Sequence, residues 1–372
     1  MERVPSLGII VTHSGSTDSG TLFGLLTPYY RQLVERATAL GWRCIVFAPR
    51  DVLRQRRTIW SWVRGKTGWE RQFSDLPDVV YTRLDAPLPD DMAILRWLRS
   101  DGDVSFLNQP EVDEITADRW RAIQVLQSHP TLSTVLPDVA LLRDELGVTQ
   151  THAVVVAPRY SIKRQVGAGY ICPDGESLLL RLEESARATT RSYQSARELL
   201  EQLSVRFGEV IVEPYVEPLR LETCPLLIRA LWQRDRTRQW QETAVMLLLG
   251  QAGSVTYQAT VVGLLDRLAS TLRQVLPHRY DALRYQLTNL GRVTVELLNQ
   301  RAHGMSELTV DFIVTKVGDV HLHTVSTTSG LASVWKLATP TVAQTVSSHT
   351  LAYASTLLEA AASFSELTAS AV

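Results

Sequence analysis

Two histidines in the last third of the chain have a spacing that could bind a metal ion. His321 and His323 lie two residues apart in a segment, Val320 to Val325, whose composition predicts a β-strand, and alternate residues of a strand share one face. A zinc site needs at least one further protein ligand, and the sequence does not place His303 beside the pair. Hydrogen-bonded histidines are therefore the preferred interpretation, with a zinc-binding pair as the alternative.

A second group of reactive side chains follows the first predicted strand. Thr12, His13, Ser14 and Asp18 include the residue types of a serine-hydrolase triad. No G-x-S-x-G motif accompanies them, and loops rich in serine, threonine and glycine commonly follow the first strand of an α/β fold. Hydrolase chemistry is thus the least favoured interpretation.

The composition excludes several classes of protein. The chain has 372 residues, of which 45% are hydrophobic and 21% are charged, and its formal net charge is -1. These values predict a globular protein of two or three packed units that binds neither nucleic acid nor an anionic membrane. The most apolar run, Ala244 to Leu249, is far shorter than the ~20 residues of a membrane-spanning helix.

The N-terminus and the cysteines indicate the compartment. Residues Met1 to Val11 lack the basic segment and the long apolar core of a signal peptide. The three cysteines, Cys44, Cys172 and Cys224, are far apart and have no C-x-x-C spacing. They predict neither a disulfide framework nor a zinc site. We therefore expect a cytoplasmic protein, and the sequence leaves its oligomeric state open.

The first part of the chain alternates predicted strands with helices. Strands are predicted at Leu7 to Val11, Arg43 to Ala48 and Val79 to Tyr81, and helical spacing covers Tyr29 to Leu40. This β-α-β order predicts a parallel sheet with right-handed crossovers. The tryptophan-rich segment from Ile59 to Pro77 is interpreted as a long loop with packed aromatic rings, and a ligand platform is the alternative.

The rest of the chain has the pattern of antiparallel structure. A hairpin with a glycine-containing tip, a helix and a further strand form a small unit in the middle. Two hairpins, two helices and a final docking helix follow. Strands are predicted at Ala153 to Ala157, Val210 to Pro214, Leu226 to Gln233, Gln241 to Leu248, Leu308 to Thr315 and Val320 to Val325, and helices at Asp118 to Gln127, Ser192 to Phe207, Leu264 to Leu276, Tyr280 to Ala302 and Val342 to Phe364.

Short motifs occur in a fixed order along these elements. They are LPDVVYTR at Leu76 to Arg83, FLN at Phe106 to Asn108, Trp120, IR at Ile228 and Arg229, QRD at Gln233 to Asp235, Trp240, and ELTVD at Glu307 to Asp311. In this order and spacing the motifs resemble the YheC/YheD family of endospore-coat-associated ATP-grasp proteins. The resemblance extends from Leu7 to about Gly330.

The resemblance implies an ATP-grasp fold of the α/β (α+β) class. We expect an N-terminal parallel α/β unit (the pre-ATP-grasp unit) at residues 1–115, a linker helix and small lid subdomain at 116–216, and a C-terminal antiparallel-sheet subdomain with a docking helix at 217–372. The resemblance also implies ATP and magnesium as cofactors and the ATP-dependent joining of a carboxylate to an amine. It further implies spore-coat proteins as partners and a location in the spore coat.

The resemblance also assigns roles to individual residues. ATP would contact cations and a glycine-containing hairpin of the lid, backbone and side chains of the hinge strand, and a catalytic arginine, while carboxylates of the last hairpin would hold the metal. The positions are Gly167 and Gly169 for the lid hairpin, Glu213 and Tyr215 for the hinge, Arg229 for the catalytic arginine, and Asp311, helped by Glu307, for the metal. Arg159 or Lys163 would substitute for the family's phosphate-binding lysine, although both lie at other positions.

Four positions depart from the pattern of the family. Ala157 stands at the position of the phosphate-binding lysine, and Leu227 at that of an aspartate. Thr324 and Ser326 stand at the positions of a metal-binding glutamate and asparagine. Losing one charge-assisted contact costs ~1.5–3 kcal/mol. The substitutions therefore predict weakened or lost ATP-dependent ligase activity and a binding or structural role.

Two alternatives stay open at this point. Arg229, Glu307 and Asp311 are retained, which leaves an active ATP-dependent carboxylate–amine ligase with a rearranged Mg-ATP site as the alternative. A nucleotide sensor that binds ATP without turnover is the less favoured alternative.

Strand alternation places Thr324 and Ser326 on one face and turns the two histidines, at 321 and 323, away from them.

Overall fold

The computed structural model describes most of the chain in three sheets and their helices. The described residues are 4–12, 22–84, 88–142, 152–160, 168–174, 177–184, 187–255, 259–264, 269–302, 304–328, 331, 334–335 and 339–369. Two of the expected ATP-contacting residues, Lys163 and Gly167, lie outside these ranges, as do His13, Ser14, Asp18 and His303.

The N-terminal unit contains a seven-stranded sheet. Its strands are β1 (Ser6–Val11), β2 (Arg43–Phe47), β3 (Val52–Leu53), β4 (Thr58–Arg64), β5 (Trp69–Asp75), β6 (Val79–Arg83) and β7 (Ser105–Phe106). Their order is β3-β4-β2-β1-β6-β7, and β5 pairs with β4. The central pairs β1–β2, β1–β6 and β6–β7 are parallel, as the β-α-β pattern of apolar runs predicts.

Helices cover this sheet and lead out of it. Three short 3-10 helices at Gly24–Leu26, Pro49–Asp51 and Arg54–Arg56 are joined by the α-helices α1 (Thr27–Ala39), α2 (Pro89–Ser100), α3 (Pro110–Ala117), α4 (Arg119–Gln127) and α5 (Pro130–Ser133). Alternate residues of the sheet enter two different cores: Leu7 and Ile9 pack with α1, whereas Ile10 packs with α2.

The tryptophan-rich segment from Ile59 to Pro77 is not a long loop. Most of it forms the antiparallel hairpin of β4 and β5, paired without interruption from Thr58–Asp75 to Arg64–Trp69. The loop prediction was wrong because both faces of the hairpin carry mixtures of aromatic, polar and charged residues. Such a strand shows no apolar–polar alternation in its sequence.

The second sheet forms the lid and is antiparallel throughout. Its strands are β8 (Ala140–Leu141), β9 (Val154–Pro158), β10 (Ala168–Asp174), β11 (Ser177–Glu184), β12 (Arg187–Tyr193) and β13 (Val210–Pro214), in the order β12-β11-β10-β9-β13-β8. The helix α6 (Ala196–Phe207) packs on one face through Leu199 and Leu203. The predicted helix start at Ser192 was wrong: Ser192 lies in β12, and the side chain of Ser195 caps α6.

The third sheet forms the C-terminal unit. Its strands are β14 (Arg220–Leu221), β15 (Cys224–Arg234), β16 (Trp240–Gly250), β17 (Ala259–Leu264), β18 (Glu307–Val314) and β19 (Val320–Ser326), in the order β17-β16-β15-β18-β19 with β14 on β15. The helices are α7 (Ala269–Val275), α8 (Tyr280–Ala302) and α9 (Pro340–Ala369). All the pairings in this sheet are antiparallel, as the hairpin pattern predicts.

Both faces of the third sheet are covered, so it links the units. Ile228 and Ala230 face the core that contains α8, whereas Leu227 and Leu231 face a core shared with α9 and the N-terminal unit. Arg36 of α1 donates to the side chain of Ser347 on α9 at 2.6 Å. Among the described residues, no helix is long and apolar enough to cross a membrane.

Candidate functional site

The candidate site lies where the lid faces the third sheet. Val155 of β9 is buried in the same core as Leu227 of β15 and Ile313 of β18, so the lid and the third sheet share a core. Residues of β13, β18 and β19 border one small cavity at this junction. The polar residues at this junction come from strands far apart in sequence.

An arginine and an aspartate pair at the centre of the site. Arg229 of β15 lies opposite Asp311 of β18 in the strand register. Its Nε and Nη2 atoms each donate to one oxygen of Asp311 at 2.6 Å. The side chains are only 14% and 7% exposed. A planar guanidinium therefore occupies both oxygens of the carboxylate that would be the strongest metal ligand of the site.

A β-bulge changes the faces of β19. Asp311 pairs with Thr324 but Phe312 pairs with Leu322, so His323 is an extra residue. Leu322 and Val325 consequently both enter the core beneath the sheet, although they are three residues apart. The prediction that His321 faces away from Thr324 was wrong, because the bulge shifts the alternation and puts both on the face that meets the lid.

A second ion pair joins the hinge strand to the linker. Nη2 of Arg119, at the start of α4, donates to both carboxylate oxygens of Glu213 at 2.8 and 2.7 Å. The same nitrogen lies 3.2 Å from Nδ1 of His323. Burial, together with the positive charges of Arg119 and Arg229, holds the pKa of His323 well below its ordinary value. His323 is therefore a neutral side chain held beside two arginines.

A third ion pair holds the cation of the lid. Nη2 of Arg159 donates to Asp118 at 2.7 Å, and Nη1 lies 3.3 Å from Glu209. Ala157, two residues earlier, is buried and opposite Ile211 in the register. Arg159 thus has its own carboxylate partners in this structure. Its role in contacting ATP stays a prediction.

The glycine and the tyrosine assigned to ATP have structural neighbours. An added Cβ at Gly169 would lie 2.7 Å from the side chain of Val156, so close packing of β10 on β9 requires glycine there. The ring of Tyr215 meets that of Tyr170 edge-on, with centroids 4.9 Å apart. Tyr170 was missed by the sequence analysis, because nothing in its local pattern distinguishes it from a packing residue of a strand.

Glu307 lies away from this group, in the contact between units. Its carboxylate accepts from Arg83 at 2.7 Å, from the hydroxyl of Tyr81 at 2.9 Å and from Gln233 at 2.7 Å. Asp311 follows Glu307 by four positions along the strand, so their Cα atoms are about 13 Å apart. The structure therefore does not bring the two carboxylates together around one metal ion.

One small cavity lies at this junction. The cavity bordered by Glu213, Ile313, His321 and His323 measures about 10 Å³, which is room for about one water molecule. A larger groove of about 730 Å³ lies elsewhere, between α1 and α9. Among the described residues, no group of three or more His, Cys, Asp and Glu side chains is arranged to hold a metal ion.

The lid is also held to the third sheet at its outer strands. Glu183 of β11 accepts from the backbone N–H of Val255 at 2.9 Å and from the hydroxyl of Ser254. Arg181 donates to the carbonyl of Gly253 at 3.0 Å. These contacts join the lid to the segment that follows β16.

Comparisons with known proteins agree with this architecture. A family model described as YheC/D like ATP-grasp matches residues 108–357. The chain belongs to the YheC/D-like ATP-grasp family. The endospore coat-associated protein YheD of Bacillus subtilis (strain 168) is 20% identical over 289 residues, a match that covers 70% of this chain and 62% of that protein. The chain thus spans less than two thirds of the length of this YheC/D-like relative.

Solved structures of ATP-grasp ligases confirm the fold. N5-carboxyaminoimidazole ribonucleotide synthetase of Thermotoga maritima is 12% identical, with a TM-score of 0.51 over 93% of this chain and 76% of its own. D-alanine–D-alanine ligase of Bacillus anthracis in complex with ATP is 12% identical, with a TM-score of 0.51, and the match covers 96% of this chain and 99% of the ligase. The VanG D-Ala:D-Ser ligase of Enterococcus faecalis is 10% identical, with a TM-score of 0.54, and the match covers 94% of this chain and 100% of the ligase.

Proposed function

We propose that this YheC/D-like chain is a non-catalytic ATP-grasp protein with a binding or structural role associated with the spore coat. The observation that carries the proposal is the paired contact between Arg229 and Asp311, at 2.6 Å for both bonds. Magnesium requires several hard oxygen ligands in near-octahedral geometry. The oxygens of Asp311 are already bonded, and Thr324 and Ser326 carry no charge, so these residues do not fit the metal.

The other charges around the cleft support the same proposal. Arg119 is paired with Glu213 and Arg159 with Asp118, so each of these cations has a carboxylate of its own. Triphosphate binding requires cationic partners, and an arginine that leaves its carboxylate loses a charge-assisted hydrogen bond worth about 1.5–3 kcal/mol. ATP would therefore have to compete with these carboxylates for the cations.

The association with the spore coat rests on the name of the Bacillus subtilis relative. That relative is 20% identical and longer than the matched region, so its location comes to this chain as a proposal. In this proposal the protein would serve the coat by contacting other proteins through its surface. Its partners in this proposal are coat proteins, and nucleic acid and membranes are not among them.

One observation favours the alternative of an active ligase. Arg229, Asp311 and Thr324 lie in one row across the sheet on the face that meets the lid. If the guanidinium moved to a substrate, Asp311 would be released to hold a metal ion. Turnover of ATP by the unmodified chain would support this alternative over the first proposal.

The proposal can be tested by restoring the family residues. We expect the triple variant Ala157→Lys, Thr324→Glu, Ser326→Asn to bind a fluorescent ATP analogue more tightly than the parent, and only with magnesium, because it regains the cation and two metal ligands. The variant Ala39→Lys, Thr67→Glu adds the same charges at exposed positions and should leave binding unchanged. Magnesium-dependent binding by the parent equal to that of the triple variant would contradict the proposal.

A further inference from the structure

The strand β5 forms an open edge of the first sheet. Within the described part of the chain it pairs with β4 alone. Its seven residues, Trp69 to Asp75, contain neither proline nor glycine and are paired with β4 without a bulge. Natural sheets commonly protect such an edge with proline, bulges, charged side chains or a covering element, and of these β5 has the charged side chains of Glu70, Arg71 and Asp75. A regular edge without a bulge is a template for pairing with a strand whose charges are complementary.

The hairpin determines which backbone groups face outward. The N–H of Gly65 donates to the carbonyl of Gly68 at 2.8 Å, and hydrogen-bonded and non-bonded pairs alternate along an antiparallel ladder. Counting from this pair, the backbone groups of residues 70, 72 and 74 bond to β4. Those of Arg71, Phe73 and Asp75 point to the open side.

The same three residues present their side chains on one face. Phe73 is 58% exposed and lies against Trp60, which is 37% exposed, with ring centroids 4.6 Å apart. Arg71 is fixed by Asp51 at 3.1 Å and by the ring of Trp62. The side chain of Asp75 is 83% exposed and lies 3.4 Å from Nη1 of Arg43. Along the strand the face therefore reads cation, aromatic ring, anion.

We propose that two copies of this chain pair antiparallel through β5, with Phe73 on the two-fold axis. In this register Phe73 lies opposite Phe73 of the second copy, and Arg71 lies opposite Asp75. The charges are then complementary, because the strand reads in the opposite direction in the second copy. All of the outward backbone groups of these three residues find partners. The occupant of the edge is thus a second copy of the chain.

The size of this contact determines its strength. A stable interface buries about 1,200–2,000 Å² of accessible surface. Two paired strands of seven residues bury less than this, an area typical of weak, transient complexes. The exposed rings at positions 60 and 73 add apolar area at the centre, where interface residues contribute most. We therefore expect a dimer that dissociates on dilution.

A symmetric disulfide tests the register. In a background in which Cys172 and Cys224 are serine, Phe73→Cys should form a covalent dimer rapidly under mild oxidation, because paired Cα atoms lie within disulfide range. Gln72→Cys is a matched control, since residue 72 is exposed but its side chain lies on the other face. Equal cross-linking of the two variants, or none in Phe73→Cys, would overturn the proposal.

Charge reversal tests the same contact without a covalent bond. Asp75→Lys places a cation opposite Arg71 and should raise the dissociation constant measured by sedimentation equilibrium about tenfold or more. Glu70→Lys makes the same change in charge on the other face and should leave it unchanged. A parent protein that is monomeric at all concentrations, or equal effects of the two variants, would show that β5 is not an interface.

Discussion

Replacing Glu307 by alanine should lower the free energy of unfolding by about 3–5 kcal/mol, because the substitution leaves a buried guanidinium without its counter-charge. The side chains of Arg83 and Glu307 are 1% and 3% exposed, and their ion pair measures 2.7 Å. Tyr81 and Gln233 would lose their acceptor as well. Urea denaturation followed by circular dichroism measures the effect.

An exposed ion pair is the matched control for this prediction. Arg197 and Glu201 lie one turn apart on α6, 3.2 Å from each other, and are 77% and 66% exposed. Glu201→Ala should change stability by no more than about 0.5 kcal/mol. The double variant Arg83→Met, Glu307→Met should recover much of the loss, since no charge remains buried. A loss below about 1 kcal/mol in Glu307→Ala would contradict a central role for this contact.

The variant Asp113→Asn should be more stable than the parent at pH 8 by about 4 kcal/mol. Burial raises the pKa of the Asp113 carboxyl from 3.8 to about 7, against the opposing effects of a hydrogen bond from Thr327 and the charge of Arg83. Glu111 and Glu114 on the same helix raise it further. Between pH 3.8 and about pH 7, the folded chain therefore keeps a proton on Asp113 that the unfolded chain releases.

The direction of the pH dependence follows from this difference. The contribution of Asp113 to stability should fall as the pH rises from about 4 to about 7 and then level off, and Asp113→Asn should abolish this part of the pH dependence. Thermal unfolding across this range measures it. Asp174→Asn, at an exposed position, is the control and should follow the parent. A parent whose stability rises over the same range, with Asp113→Asn unchanged from it, would contradict the prediction.

Local sequence patterns predicted much of the fold. The apolar runs at β1, β2 and β6 gave a parallel sheet because buried parallel strands are apolar on both faces. Pairs of apolar runs joined by short charged turns, at residues 234–238 and 316–319, predicted the antiparallel hairpins of β15 with β16 and of β18 with β19. The motif residues Arg229 and Asp311 proved to be neighbours in register, although they are 82 positions apart.

The contacts that define the site were not predictable from local patterns. Arg119 reaches Glu213 across 94 positions, and Arg83 reaches Glu307 across 224. Such pairs depend on how whole units pack, and sequence periodicity carries no information about packing between units. The bulge at His323 is similar, because one extra residue in a strand leaves the composition of that strand unchanged.

The most direct test of the proposal that the site is non-catalytic is calorimetry of ATP binding to the unmodified chain, with and without magnesium. Because Arg229, Arg119 and Arg159 are each held by a carboxylate, we predict no measurable heat at millimolar ATP under either condition. Micromolar binding that requires magnesium would contradict the account. It would show that Arg229 releases Asp311 to a metal ion, as an active ligase requires.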